Sequence, residues 1–188
     1  PAVYEKDYDY KFGKPVTLKH GKDLLILSTG SMVAQSLIAI KILEEKGIDA
    51  ELINVHTLKP LSQQIVEKLK LFNYVVTIEE HSIIGGLNSI IAEKIATCCP
   101  KTNLFPIALP DAFGPTGTYN YLLDYHGLTG QKIGQKILRF FQNRNFDKWL
   151  KNMSLFKSIS TYKNNIALIS ELTGPLTYND LIKKTDTI

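Results

Sequence analysis

The chain has 188 residues, 44% of them hydrophobic and 21% charged, which suits one domain with a real core and some chain to spare. Its formal charge is +4, but residues 144–188 hold seven of the 22 basic and four of the 18 acidic side chains, leaving the remainder nearly neutral. That balance excludes a dense Lys/Arg stripe for nucleic acid or a membrane surface, and the short, interrupted apolar runs exclude a membrane-spanning helix.

In chain order, Pro15–His20 (PVTLKH) alternates apolar and polar residues and reaches Asp23 through the tight turn HGK. So short a link predicts a strand antiparallel to its chain neighbour, beside a parallel set. Leu24–Leu27 is a continuous apolar run, as in a strand buried on both faces. Ser28, Thr29, Gly30 and Ser31 follow as a turn with hydroxyl N-cap candidates. Val33, Leu37, Ile40 and Leu43 then repeat at helical spacing, and Gly47 closes that helix. Ala50–Val55 is a second parallel strand, followed by HTLKPL and a helix capped by Ser62 with Ile65, Val66 and Leu69 inward. Tyr74–Ile78 is a third, its exit loop the stretch TIEEHSIIGG, before a helix over Asn88–Cys99 ended by Pro100. Leu104–Leu109 is a further strand, Asp111–Thr118 a Gly/Pro loop, Tyr119–Tyr125 a short helix and Thr129–Gln142 a longer one. This alternation predicts an α/β fold of three layers, α/β/α, with a five-stranded mixed, mostly parallel sheet and one antiparallel strand.

The domain is expected to span 1–142. Residues 143–152 (NRNFDKWLKN) read as a polar linker, and 153–188 as a C-terminal extension with a helix over Ser154–Tyr162, a strand over Ile166–Ser170 and a turn at Thr173–Pro175. The chain starts at Pro1 without an initiator Met and stops within a helical pattern, so we expect a piece of a longer polypeptide. Cys98 and Cys99 are adjacent, too few for a zinc site and poorly placed for a mutual bridge, so reduced thiols in a cytoplasmic setting are expected.

In parallel sheets, function gathers in the loops at the carboxyl ends of strands. Here those loops carry Ser28, Thr29 and Ser31; His56 and Thr57; Glu79, Glu80, His81 and Ser82; and Asp111. One reading is an acid–base site with His81 or His56 as base and Glu79 or Glu80 as orienting carboxylate. The other is architectural: helix N-termini collect on the same edge, their free N–H groups need acceptors, and Gly85 and Gly86 serve a turn before a helix. A phosphate at the Ser31 helix start is a further option, with a plain hydroxyl cap as the simpler one. No HExxH, calcium loop, GxGxxG or Walker pattern is present. His20 and His126, beside glycines in turns, carry no assignment.

Taken together, GKDLLILSTGSMV, INVHTLKPL, VVTIEEHSIIGGLNSIIAE, LPDAFGPTG and YHGLTGQKI resemble the C-terminal domain of transketolases. The resemblance covers roughly residues 1–142 and extends to the wider thiamine-diphosphate family, including deoxyxylulose-phosphate synthase and the beta-type subunits of 2-oxoacid dehydrogenases. Asp111-Ala-Phe-Gly-Pro-Thr-Gly117 followed by Gly127-Leu-Thr129 points to transketolase proper, with a departure at Ala112 and Pro115, where many transketolases carry Arg and Glu.

The resemblance implies a mainly structural domain supporting a homodimer, inactive alone, in an enzyme that transfers two-carbon ketol units between sugar phosphates. Thiamine diphosphate and magnesium would be held by upstream domains or a separate subunit, through a GDG…N motif and a Glu that this chain lacks. It implies no catalytic, cofactor or metal residue here. His56, Glu79, Glu80, His81, Gly85, Gly86 and Asp111 would be interface or anion contacts, and the alternative is a small-anion or phosphate-binding regulatory module at the strand edge. The tail, including Leu176-Thr-Tyr-Asn-Asp-Leu181, resembles the start of an acyl-adenylate-forming ligase or adenylation domain, truncated here.

Overall fold

The computed structural model describes Val3, residues 10–152, 166–170 and 174–177, with side chains as far as Gln142. The chain divides into two compact units, Pro1–Phe141 and Gln142–Ile188.

In the first unit, strands β1 (Val16–Lys19), β2 (Leu24–Ser28), β3 (Ala50–Asn54), β4 (Tyr74–Ser82) and β5 (Asn103–Leu109) form one sheet in the order β1-β3-β2-β4-β5. Only the β1–β3 pair is antiparallel. Between the strands run helices α1 (Met32–Glu45), α2 (Gln63–Leu69) and α3 (Leu87–Cys98), and after β5 come α4 (Tyr119–Tyr125) and α5 (Gly130–Asn152). This is the three-layer mixed sheet that strand–helix alternation predicts.

The apolar run of β2 shows why both faces are covered. Successive side chains point to opposite faces, and every one from Leu24 to Leu27 is at most 1% exposed. Leu24 and Ile26 pack with Ala39, Ile40 and Leu43 of α1 and Ile133 and Ile137 of α5. Leu25 and Leu27 face the other way, against Ile65 and Leu69 of α2 and Leu87, Ile91 and Ile95 of α3. Each such burial contributes roughly 1.5–3 kcal/mol, so this run of four apolar residues is the anchor of both layers. Helix α1 ends as Gly47 suggested. Gly47 is left-handed at φ +73°, its N–H donates to the Glu44 carbonyl, and Ile48 N–H reaches back to Leu43, a Schellman close with Ile48 and Leu43 in one core cluster.

Two expectations are corrected. First, β1 runs antiparallel as expected but pairs with β3, not with its chain neighbour β2; β3 lies between them. The HGK turn therefore steps across the start of β3, where Lys22 and Asp23 N–H both donate to the Asp49 carbonyl at 2.9 Å. A Cβ on Gly21 would lie 2.3 Å from the Ala50 carbonyl carbon, so the crossing requires a residue without one. Second, in the second unit, strands β6 (Ile166–Ser170) and β7 (Gly174–Thr177) pair antiparallel, so Gly174 and Pro175, expected in a turn, stand in the ladder opposite Ser170 and Ile169. Residues 143–152, expected as a linker, are helical, since α5 runs to Asn152; the stretch is polar but has neither Gly nor Pro to stop a helix. The expected helix over 154–162 and most of the LTYNDL motif lie outside the described residues. No helix among the described residues is long and apolar enough to cross a membrane.

Candidate functional site

The carboxyl ends of β2, β3, β4 and β5 bring the expected residues to one edge, with one change of setting. Strand β4 does not stop at Ile78. Its pairing with β2 ends there, at Ser28, but its pairing with β5 goes on to Ser82 opposite Leu109 after a register shift. Glu79, Glu80, His81 and Ser82 are thus strand residues projecting past β2. Carboxylates are depleted in strands, which is why the pattern alone places them in a loop.

Glu79 is buried, at 1% exposed, and its carboxylate is fully engaged. One oxygen accepts the Leu87 N–H at 2.7 Å and the other the Asn88 N–H at 2.8 Å. These are two of the free donors at the start of α3, whose own N-cap, Gly86, has no side chain to offer. A carboxylate from a strand eight residues earlier does the capping, and the helix dipole favours its charge. The glycine belongs to the same device, since a Cβ on Gly86 would lie 2.0 Å from a Glu79 carboxylate oxygen and 2.9 Å from His81 Nδ1. Gly85 takes the left-handed turn at φ +84°, and its N–H donates to Ser89 Oγ at 2.8 Å.

Glu80 faces the other way and is exposed. One of its oxygens accepts from the Ser31 hydroxyl and, at 2.7 Å, from the Tyr119 hydroxyl. The hydroxyl cap expected of Ser31 is therefore not made; its side chain makes no capping bond to α1 because Glu80 recruits it. The Glu80 hydrogen bond, with burial second, pushes the Tyr119 hydroxyl above its usual range. This small cluster fastens the β2–α1 turn and the start of α4 to β4.

Among the described residues neither His56 nor His81 hydrogen-bonds a carboxylate. His56 Nε2 donates to the Lys14 carbonyl at 2.7 Å, and its Nδ1 is hydrogen-bonded with Thr57 Oγ1 at 2.9 Å. Thr57 Oγ1 in turn accepts the Gly13 N–H at 3.2 Å, and Tyr10 packs on the imidazole at 4.8 Å between centroids. His56 holds the segment before β1 onto the end of β3. His81 is exposed and donates from Nδ1 to the Ser82 carbonyl at 2.9 Å. Among the described residues no hydrogen bond joins His81 to Glu79 or Glu80, so the carboxylate–imidazole pair suggested by the sequence is not assembled. Asp111 is exposed in an open pocket of about 490 Å³ that it lines together with Ser82, Phe113, Gly114 and His126. His126 was not foreseen there. Nothing local in YHGLTG marks it; α4 carries it back toward the Asp111 loop.

The family described as transketolase, C-terminal domain, matches residues 13–133. The chain belongs to this family. The matched segment holds all five strands of the large sheet and every residue of the strand-edge cluster. A transketolase C-terminal section from Methanocaldococcus jannaschii is 41% identical over 138 residues, covering 72% of this chain and 43% of that protein. A 6-deoxy-6-sulfo-D-fructose transketolase subunit from Clostridium sp. (strain MSTE9) is 38% identical over 149 residues, 78% of this chain and 46% of the relative. The 1-deoxy-D-xylulose-5-phosphate synthase of Dictyoglomus thermophilum is 39% identical over 134 residues, 71% of this chain but 22% of that enzyme. Among solved structures, a split-gene transketolase described as an inactive beta4 tetramer superposes with a TM-score of 0.67 at 34% identity, covering 76% of this chain and 46% of that one. The chain thus spans less than half the length of these relatives.

Proposed function

We propose that this chain is the C-terminal assembly domain of a thiamine-diphosphate-dependent, transketolase-type enzyme that transfers two-carbon ketol units between sugar phosphates. In this reading the chain is cytoplasmic and catalytically silent alone, and supports a homodimer with upstream cofactor-binding domains or a separate subunit. The observation that carries the reading is the use of Glu79. Glu79, the buried carboxylate of the strand edge, caps a helix with both oxygens occupied, and among the described residues no carboxylate hydrogen-bonds His81.

The same edge is a poor seat for the cofactor. A diphosphate with its magnesium needs free helix N–H groups for the anion and a set of oxygen ligands for the metal. Here Glu79 occupies the α3 N-terminus and Glu80 stands beside the α1 start at Ser31. Among the described residues no three His, Cys, Asp or Glu side chains gather as metal ligands. These observations support a reading in which the cofactor is held by other domains, and the same two carboxylates speak against a phosphate-binding module at this edge. For the tail beyond residue 152, the start of an adenylation domain remains our reading of its sequence.

Separate expression tests this. With thiamine diphosphate, magnesium and sugar phosphates, the chain alone is expected to give no ketol transfer, and mixing it with the cofactor-binding part of its parent enzyme is expected to restore transfer. Turnover by the chain alone would overturn the proposal. So would full activity of the cofactor-binding part without it.

A further inference from the structure

The two cysteines lie away from the strand edge, and no step above uses them. Cys98 is the last residue of α3 and Cys99 its C-cap. Adjacent residues within a helix point about 100° apart, which would separate the thiols. Cys99 instead leaves the helix at φ −144° and ψ 53° while its N–H still donates to Ile95. That exit swings its side chain onto the side of Cys98, and the two sulfur atoms lie 3.1 Å apart. Cys99 is buried in the cluster that includes Ile95 and Phe72, whereas Cys98 is half-buried and gives access from solvent.

We infer that Cys98 and Cys99 form a preorganised dithiol site for a thiophilic three-coordinate centre, of which a trivalent organoarsenical is the chemical class. The separation of the sulfurs carries the argument. A disulfide needs about 2.05 Å between sulfurs, so the pair would have to close by a further ångström within one dipeptide. Two bonds of about 2.3 Å, the length of a metal–thiolate bond, meeting near a right angle span about 3.2 Å. The pair thus suits a bridging atom better than a bond between its own sulfurs.

Coordination number selects the ligand. Zinc wants four donors, and no third His, Cys, Asp or Glu joins the pair among the described residues. An aryl arsenical brings its own third bond, to carbon. Burial, first, and the neighbouring thiol push Cys99 up to about 11, so near neutral pH it stays a thiol and is a slow partner in disulfide exchange. With an arylarsine oxide the step balances without oxidant or reductant. Two arsenic–sulfur bonds form, the arsenic–oxygen bond breaks, and both thiol protons leave with the oxygen as one water.

Phenylarsine oxide titrated into the 188-residue chain, followed by intact-mass spectrometry and thermal unfolding, tests the site. The expected result is one reagent per chain, released by a dithiol but not by a monothiol, with a raised unfolding midpoint because a preformed site binds the folded state preferentially. Since both thiols act on one centre, C98S and C99S are each expected to weaken uptake by at least about a hundredfold. No uptake by the native chain, uptake retained by C98S, or a lowered midpoint on binding would overturn the inference. The midpoint of the unsubstituted chain decides the matter even where a variant folds poorly.

Discussion

Glu79→Ala is expected to lower the stability of the chain by about 3–5 kcal/mol, because it removes two charge-assisted hydrogen bonds and leaves buried N–H groups at the start of α3 without acceptors. An isosteric Glu79→Gln should lose about half as much, since one amide oxygen still accepts while the NH₂ confronts a backbone donor. Gly86→Ala attacks the same contact from the opposite side. Its Cβ would lie 2.0 Å from the carboxylate oxygen, and the carboxylate has to shift at a cost of about 1–3 kcal/mol. The two changes should be coupled. Once Glu79 is alanine, much of the penalty at Gly86 disappears, so the double variant loses less than the sum of the singles. Urea unfolding of the four proteins measures this; a Glu79→Ala chain within about 0.5 kcal/mol of the original would remove the capping role.

Gly21→Ala is expected to be the most damaging single methyl group in the chain. The added carbon meets backbone, 2.3 Å from the Ala50 carbonyl carbon and 2.5 Å from Glu51 nitrogen, and backbone inside a sheet cannot rotate away as a side chain can. A loss of about 3 kcal/mol or more follows. The damage should be local in character. The crossing also relies on Asp49, which accepts from Lys22 and Asp23 and pairs with Lys19 at 3.1 Å. Displacing it loosens β1 on β3 and disturbs the start of the β2–β3 pair, where Leu24 and Leu25 face Ala50 and Glu51, while the pair of β2 with β4 lies away from the turn. Hydrogen exchange should therefore show faster amides across β1 and the first residues of β3, with the β2–β4 pair still protected. Uniform protection with unchanged stability would contradict the steric account.

Much of this architecture was legible because hydrophobic pattern and burial coincide. Leu24–Leu27 could only be a strand covered twice, and Val33, Ile40 and Leu43 could only be one face of a helix. The misreadings share a cause, which is that local pattern does not report what intervenes in space. The HGK turn fixed the direction of β1 but could not show that β3 inserts beside it. The end of β4 was lost because its last residues pair only with β5, past the point where β2 stops, and carry charge. Ser31 was correctly placed at a helix start, yet its hydroxyl answers to Glu80, forty-nine residues away. Glu79 is the instructive case. Its carboxylate was expected either to orient a histidine or to satisfy helix donors, and composition could not choose; Gly86, which leaves room for the carboxylate at α3, is the residue that decides.

In the function proposed above, TIEEHSIIGG builds structure and performs no chemistry, and steady-state kinetics of His81→Ala in the proposed parent enzyme tests this most directly. His81 is exposed, with one hydrogen bond to its neighbour's carbonyl, so the change should leave the fold stable to within about 0.5 kcal/mol and kcat within about twofold of the original. A fall in kcat of about a hundredfold or more in a stably folded, normally assembled enzyme is the signature of a general base, and would contradict the account.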